Sequence, residues 1–190
     1  MGGSDSYVDP STFSIIEVYD PSTNTWSKGG SMPRRRAQHV GAEVSGRIYL
    51  MGGTTDEGGS TSFVTTVDVY DPSNNSWSTI DPLPTPRALL SAAVLGDTIY
   101  TFGGLNASSG LVSVVDAYDV TKACWKSAPP LLTARFWACA AAADNRIFVV
   151  GGSDKTNFLN ANEEFDRGIL FSAQPHAESN TVSLTLRTSI

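Results

Sequence analysis

The chain has 190 residues, of which 41% are hydrophobic and 9% aromatic, enough to bury a core at roughly 70% of the unfolded surface. Its 13 Lys and Arg against 19 Asp and Glu give a net charge of −6, and the densest basic cluster, Arg34-Arg35-Arg36, is too short to track a phosphate backbone, so nucleic acid is excluded as a partner. The longest uncharged apolar stretch, residues 136–143, ends at Asp144 and falls far short of the roughly 20 residues that span a bilayer.

Seventeen Gly and ten Pro without a collagen period predict many tight turns between short strands, hence an all-β chain. In chain order, Gly-Gly pairs fall at Gly2-Gly3, Gly52-Gly53, Gly103-Gly104 and Gly151-Gly152, a period of about 50 residues. Aromatic-Asp pairs keep phase with them at Tyr19-Asp20, Tyr70-Asp71, Tyr118-Asp119 and Phe165-Asp166, and tryptophans follow at Trp26, Trp77 and Trp125. Each Trp stands 7 residues after its Tyr and 26 before the next Gly-Gly, whereas the step from Gly-Gly to the following aromatic varies from 14 to 18. All length change is thus confined to one connection per unit, which marks that connection as a surface loop.

Each unit reads as four strands, identified by β-branched and aromatic content. In the second unit they are residues 39–44, 47–51, 64–70 and 76–80, with a turn at Ser45-Gly46 joining the first two, as Gly96-Asp97 does in the third. Asp20-Pro21 and Asp71-Pro72 open hairpin turns between the third and fourth strands, because Asp accepts from the backbone ahead and Pro presets φ. At Val120-Thr121-Lys122-Ala123 the turn-forming Pro and Asn are absent, and a less rigid hairpin is expected.

A four-stranded antiparallel unit with paired Gly, an aromatic-Asp pair and a Trp at fixed spacing resembles the kelch repeat, over residues 1–166. The resemblance implies blades of a β-propeller with Tyr and Trp filling the space between neighbours. Structural glycines are the reading of each Gly-Gly pair, since no phosphate-binding Gly-x-Gly-x-x-Gly follows. The expected architecture is a partial propeller of about four blades, not closed: a partial blade at 1–36, blades at 37–87 and 88–135, a partial blade at 136–166, and an unmatched tail at 167–190. In that tail Val182, Leu184 and Leu186 alternate, so a strand there is expected to complete the last blade. With under four complete units the chain is expected to be a fragment of a longer protein, a truncated gene model or an obligate oligomer, prone to self-association through open ends.

By the resemblance, partners bind at the loops after the second strand (residues 4–14, 54–65, 105–113 and 153–161) and at the blade-to-blade links. In those links an arginine stands 16 residues before each Gly-Gly, namely Arg36, Arg87 and Arg135. As binding residues they would bring guanidinium forks to one rim to hold an acidic peptide; the competing role, favoured by their identical placement, is hydrogen bonding to backbone carbonyls between blades. The acidic loop residues Asp56, Glu57 and Asp154 would offset a positive rim and read as solvated charge.

The predicted function is therefore protein binding, without cofactor, metal or catalysis. The alternative is a fragment of a kelch-type enzyme of the mutarotase or oxidase class, but His39 and His176 are the only histidines and no ligand cluster is marked. Cys124 and Cys139 read as reduced, no leader opens the chain, and the cytoplasm is the expected compartment. The sequons at Asn74 and Asn106 and the loose myristoylation pattern of Gly2 and Ser6 read as chance matches. No BTB or F-box segment precedes the repeats, so a ubiquitin-ligase adaptor role does not follow from the chain alone.

Overall fold

A computed structural model describes residues 13–56, 60–166 and the backbone of 169–173. Gly2-Gly3, residues 4–12 of the first loop, Glu57, His176 and the alternating Val182, Leu184 and Leu186 lie outside the described residues. The first unit contributes an antiparallel pair, β1 (Ile15–Asp20) and β2 (Thr25–Ser31). The second contributes β3 (Val40–Val44), β4 (Arg47–Met51), a small hairpin β5 (Thr54–Thr55) and β6 (Ser62–Phe63), then β7 (Val67–Asp71) and β8 (Ser76–Ile80). The third repeats the plan with β9 (Ser91–Leu95), β10 (Thr98–Phe102), hairpin β11 (Leu105–Asn106) and β12 (Gly110–Leu111), β13 (Val115–Asp119) and β14 (Cys124–Ala128). The fourth has β15 (Cys139–Ala143), β16 (Arg146–Val150), β17 (Asn162–Asp166) and β18 (Ile169–Ala173).

Each of the last three units is a four-stranded antiparallel sheet in chain order, and among the described residues no sheet closes on itself. The predicted strands of the second unit match to within a few residues; the third starts three residues late, at Val67, because residues 64–66 belong to the loop. The last sheet is completed by β18, whose Ile169 pairs with Asp166 across a two-residue step. The hairpin lacking Pro and Asn forms all the same: Asp119 accepts from the Lys122 N–H at 3.0 Å and the Thr121 hydroxyl at 2.7 Å, while Ala123 takes φ 50°. Those bonds, together with that to the Lys122 ammonium, hold the Asp119 carboxyl well below the usual carboxylate range.

Side chains alternate across each strand, so each sheet offers one face to the unit before and one to the unit after. Met51, Val67 and Val69 of the second sheet pack with Ile99 and Tyr118 of the third; Phe102 and Val115 of the third pack with Ile147, Val149 and Phe165 of the fourth. Innermost strands β3, β9 and β15 lie beside one another. Trp77 and Trp125 sit between units as expected, yet both are half-buried, because each lies on the outermost strand where part of the ring meets solvent. Trp77 reaches Ile16, Met32 and Leu50 and packs tilted against Tyr70, ring centroids 4.8 Å apart. Trp77→Ala is accordingly expected to cost about 2–3 kcal/mol, below the full-burial range of about 3–5. Equilibrium denaturation checks it; a change under about 1 kcal/mol would show that Trp77 does not hold the units together.

Candidate functional site

At one end of the sheets, each second strand runs into a glycine pair whose residues take positive φ, 63° and 94° at Gly52 and Gly53. A Cβ on Gly52 would stand 2.5 Å from the carbonyl oxygen of Arg87, in the next unit's entry link. The same oxygen accepts from the Gly53 N–H at 2.8 Å, and Arg135 accepts from Gly104 at 2.8 Å in the following pair of units. Glycine is therefore required where one blade's backbone meets the next.

The three arginines of those links are buried, with Arg36 1%, Arg87 0% and Arg135 1% exposed. Their burial argues against an exposed rim and agrees with the role favoured by their identical placement, bonding to backbone carbonyls. Arg87 Nη1 donates to the carbonyls of Gly103 at 2.9 Å and Val114 at 3.1 Å, and Nη2 to Thr101 Oγ1 at 3.0 Å and Asp116 at 2.6 Å. Arg36 treats Gly52, Thr66 and Asp68 in the same way, and Arg135 treats Gly151, Ala161 and Glu163. Each guanidinium thus clamps both feet of the loop that follows the second strand, within its own sheet. The contact between blades comes from the arginine's main-chain carbonyl, a division of labour that residue type does not reveal.

The carboxylate partners Asp68, Asp116 and Glu163 were not singled out from sequence, although their fixed place on the third strand was a readable signal. All three are buried. Burial pushes the Asp116 carboxyl up and the Arg87 guanidinium down, each partly offset by the other's charge. Asp68 also receives Arg34, at 2.6 Å. Glu163, longer by one methylene, reaches the Leu132 and Thr133 N–H groups of the link at 2.7 and 3.1 Å.

The loops on these feet are themselves ordered by local bonds. Asn106 accepts from Ser108 N at 2.8 Å and Ser109 N at 3.3 Å, and Asp154 from Thr156 N and Asn157 N at 2.8 and 2.7 Å. Backbone contacts lower the Asp154 carboxyl below its ordinary value. Asn106, at 7% exposed, is closed to glycosylation, whereas Asn74 lies exposed on a turn at the opposite end. Asp56 pairs with Arg35 at 3.2 Å. Bridges Ala37↔Thr54, Ala88↔Leu105 and Phe136↔Ser153 tie every link to the loop of its own unit. The exposed large apolar side chains at this end include Leu132 (52% exposed), Trp137 (50%) and Phe158 (88%). Among the described residues no three His, Cys, Asp or Glu side chains form a metal-binding group, and no helix is long and apolar enough to cross a membrane.

The family model described as the KLHDC2/KLHL20/DRC7 Kelch-repeats domain matches residues 1–166. Kelch-like protein 35 of Mus musculus is 36% identical over 90 residues, covering 47% of this chain and 15% of that protein. Kelch-like ECH-associated protein 1A of Danio rerio is 32% identical over 94 residues, 50% of this chain and 16% of its own length. An F-box/kelch-repeat protein of Arabidopsis thaliana is 33% identical over 89 residues, 46% and 19% respectively. The matched stretches span under a fifth of each of these relatives.

Proposed function

Because the chain belongs to the kelch-repeat family, we propose that it is a protein-binding module, with units bounded at residues 37, 88 and 136, that takes its partner on the loop end of the sheets. The observation that carries this reading is the bridging of each entry link to the loop after its second strand, which joins the constant-length links and the length-variable loops into one surface on clamped feet. Rigid scaffolds carrying variable loops are a common way to build recognition sites. The name of one relative, Kelch-like ECH-associated protein 1A, describes that protein as an associating one. A cytosolic setting fits the free thiols Cys124 and Cys139. Photo-crosslinking tests the surface: a benzophenone side chain at Phe158 should capture a protein from cell extract, and the same group at Ser22, on an opposite-end turn, should not. Equal capture at both places, or none at Phe158, would overturn the reading. Stoichiometric copper or iron in the purified protein would favour the kelch-enzyme alternative instead.

A second reading, self-association, is favoured by Trp26 at 69% exposed on the outward face of the first sheet, where Trp77 and Trp125 have a neighbouring unit. Val150 is also exposed on the outward face of the fourth sheet. That face is partly polar, with Asn162 and Glu164 standing where the second sheet has Val67 and Val69, so association should depend most on Trp26. Sedimentation is expected to show oligomers that Trp26→Glu disperses. A monomer at micromolar concentration would refute self-association.

A further inference from the structure

Non-glycine residues with positive φ mostly sit in hairpin turns, as Asn24, Ser45, Asn75, Ala123, Asp144 and Asn145 do, where small or amide side chains tolerate that geometry. Gln38, Leu89 and Trp137 differ. Each lies two residues after a clamping arginine, each has φ 57°, and each carries a large side chain. Glycine would sit there without strain, and the chain uses it at other left-handed positions such as Gly52, Gly103 and Gly151. Keeping a side chain in this geometry is destabilising, and such strain is held by over-determined surroundings and collects at ligand clamps. Core packing does not account for the choice, since Gln38 and Trp137 are exposed and Leu89 is only half-buried.

The three are also neighbours. Leu89 N–H donates to the Gln38 carbonyl at 2.9 Å and Trp137 N–H to the Leu89 carbonyl at 3.1 Å, so the row passes from one sheet to the next across the loop end. Backbones bonded in this way stand about 5 Å apart, and the row is as long as three or four residues of extended chain at about 3.3 Å each. At one end the Trp137 indole rests 4.6 Å from the buried ring of Phe136, which fixes it as a stiff apolar anchor. Phe158 projects from the loop that Ser153 bridges to the same link. At the other end the Gln38 amide offers both a donor and an acceptor, the pair that a peptide backbone needs.

We propose that Gln38, Leu89 and Trp137 form a recognition strip for an extended segment of a partner protein, with an aliphatic or aromatic side chain of that segment seated on Trp137. The proposal rests on the protein-binding reading and names the chemistry of its ligand, apolar where the arginine reading had it acidic. The test uses the whole chain, immobilised, against a displayed library of random linear peptides, alongside Gln38→Gly, Leu89→Gly and Trp137→Gly. The glycine variants should melt at or above the parent's temperature, because the backbone strain is relieved. Peptides enriched on the parent should carry Leu, Phe, Tyr or Trp, and should bind Trp137→Gly about tenfold or more weakly. Enriched peptides that bind all three variants as tightly as the parent would overturn the strip and leave protein binding standing. Enrichment of acidic peptides without an apolar anchor would overturn it as well, as would melting temperatures that fall in the glycine variants. A parent that enriches nothing also overturns the strip, and crosslinking at Phe158 then judges the wider reading independently.

Discussion

Arg87→Met should destabilise the protein by about 3–5 kcal/mol, the range for removing one partner of a buried ion pair. The substitution strands the Asp116 carboxylate, the carbonyls of Gly103 and Val114, and Thr101 Oγ1, all of which now receive the guanidinium. One gain offsets this in part, because Arg87 Nε is a buried donor without a partner and would be removed. The loss should depend on pH in a defined sense. Asp116 is already pushed up by burial, and without Arg87 its pKa rises further, to a folded value above the unfolded one of about 3.9. A group raised on folding contributes stability that is present below its unfolded pKa and is lost as pH rises through its folded pKa. The deficit of the variant relative to the parent should therefore be smallest near pH 4 and grow toward neutrality. Adding Asp116→Leu should recover part of it at neutral pH and remove the pH dependence. Denaturant titrations of the parent and both variants measure all of this, and a single variant within about 1 kcal/mol of the parent would show that the guanidinium does not clamp the loop.

Gly103→Ala is expected to cost about 2–5 kcal/mol from two sources. An L side chain at φ 57° brings roughly 1–2 kcal/mol of backbone strain. Its Cβ would also fall on the carbonyl oxygen of Arg135, which must then move and give up the 2.8 Å bond from Gly104 N–H, a loss of roughly 1–3 kcal/mol if the groups stay buried. Because this contact joins the third sheet to the fourth, hydrogen exchange at β16 and β17 should rise more than at β4 and β7. A variant with the parent's melting temperature and unchanged exchange would mean that the two sheets do not depend on this approach.

Periodic signals were the legible ones. Strand alternation, turn chemistry and the spacing from Tyr to Trp to Gly-Gly are local or repeat-bound, so they identified the sheets, the family and even the loop that varies in length. The β18 strand escaped because only its pairing with β17 marks Ile169–Ala173 as a fourth strand. The site was less legible for a related reason. Arg36, Arg87 and Arg135 were visible as a repeated element, but whether a guanidinium faces solvent or a carboxylate depends on the third strand some 30 residues away, which only tertiary pairing places. Backbone dihedrals are still less visible: nothing in the letters Gln38, Leu89 and Trp137 announces a left-handed residue, because that conformation is imposed by hydrogen bonds between neighbouring blades. The sequence by itself determined the repeat, the all-β units and the positions that must be glycine or aromatic, since those follow from spacing and side-chain volume. Tertiary structure alone decided which charged groups are buried, which tryptophan is left exposed and which side chains line the loop end, since each depends on what the adjoining unit places against it.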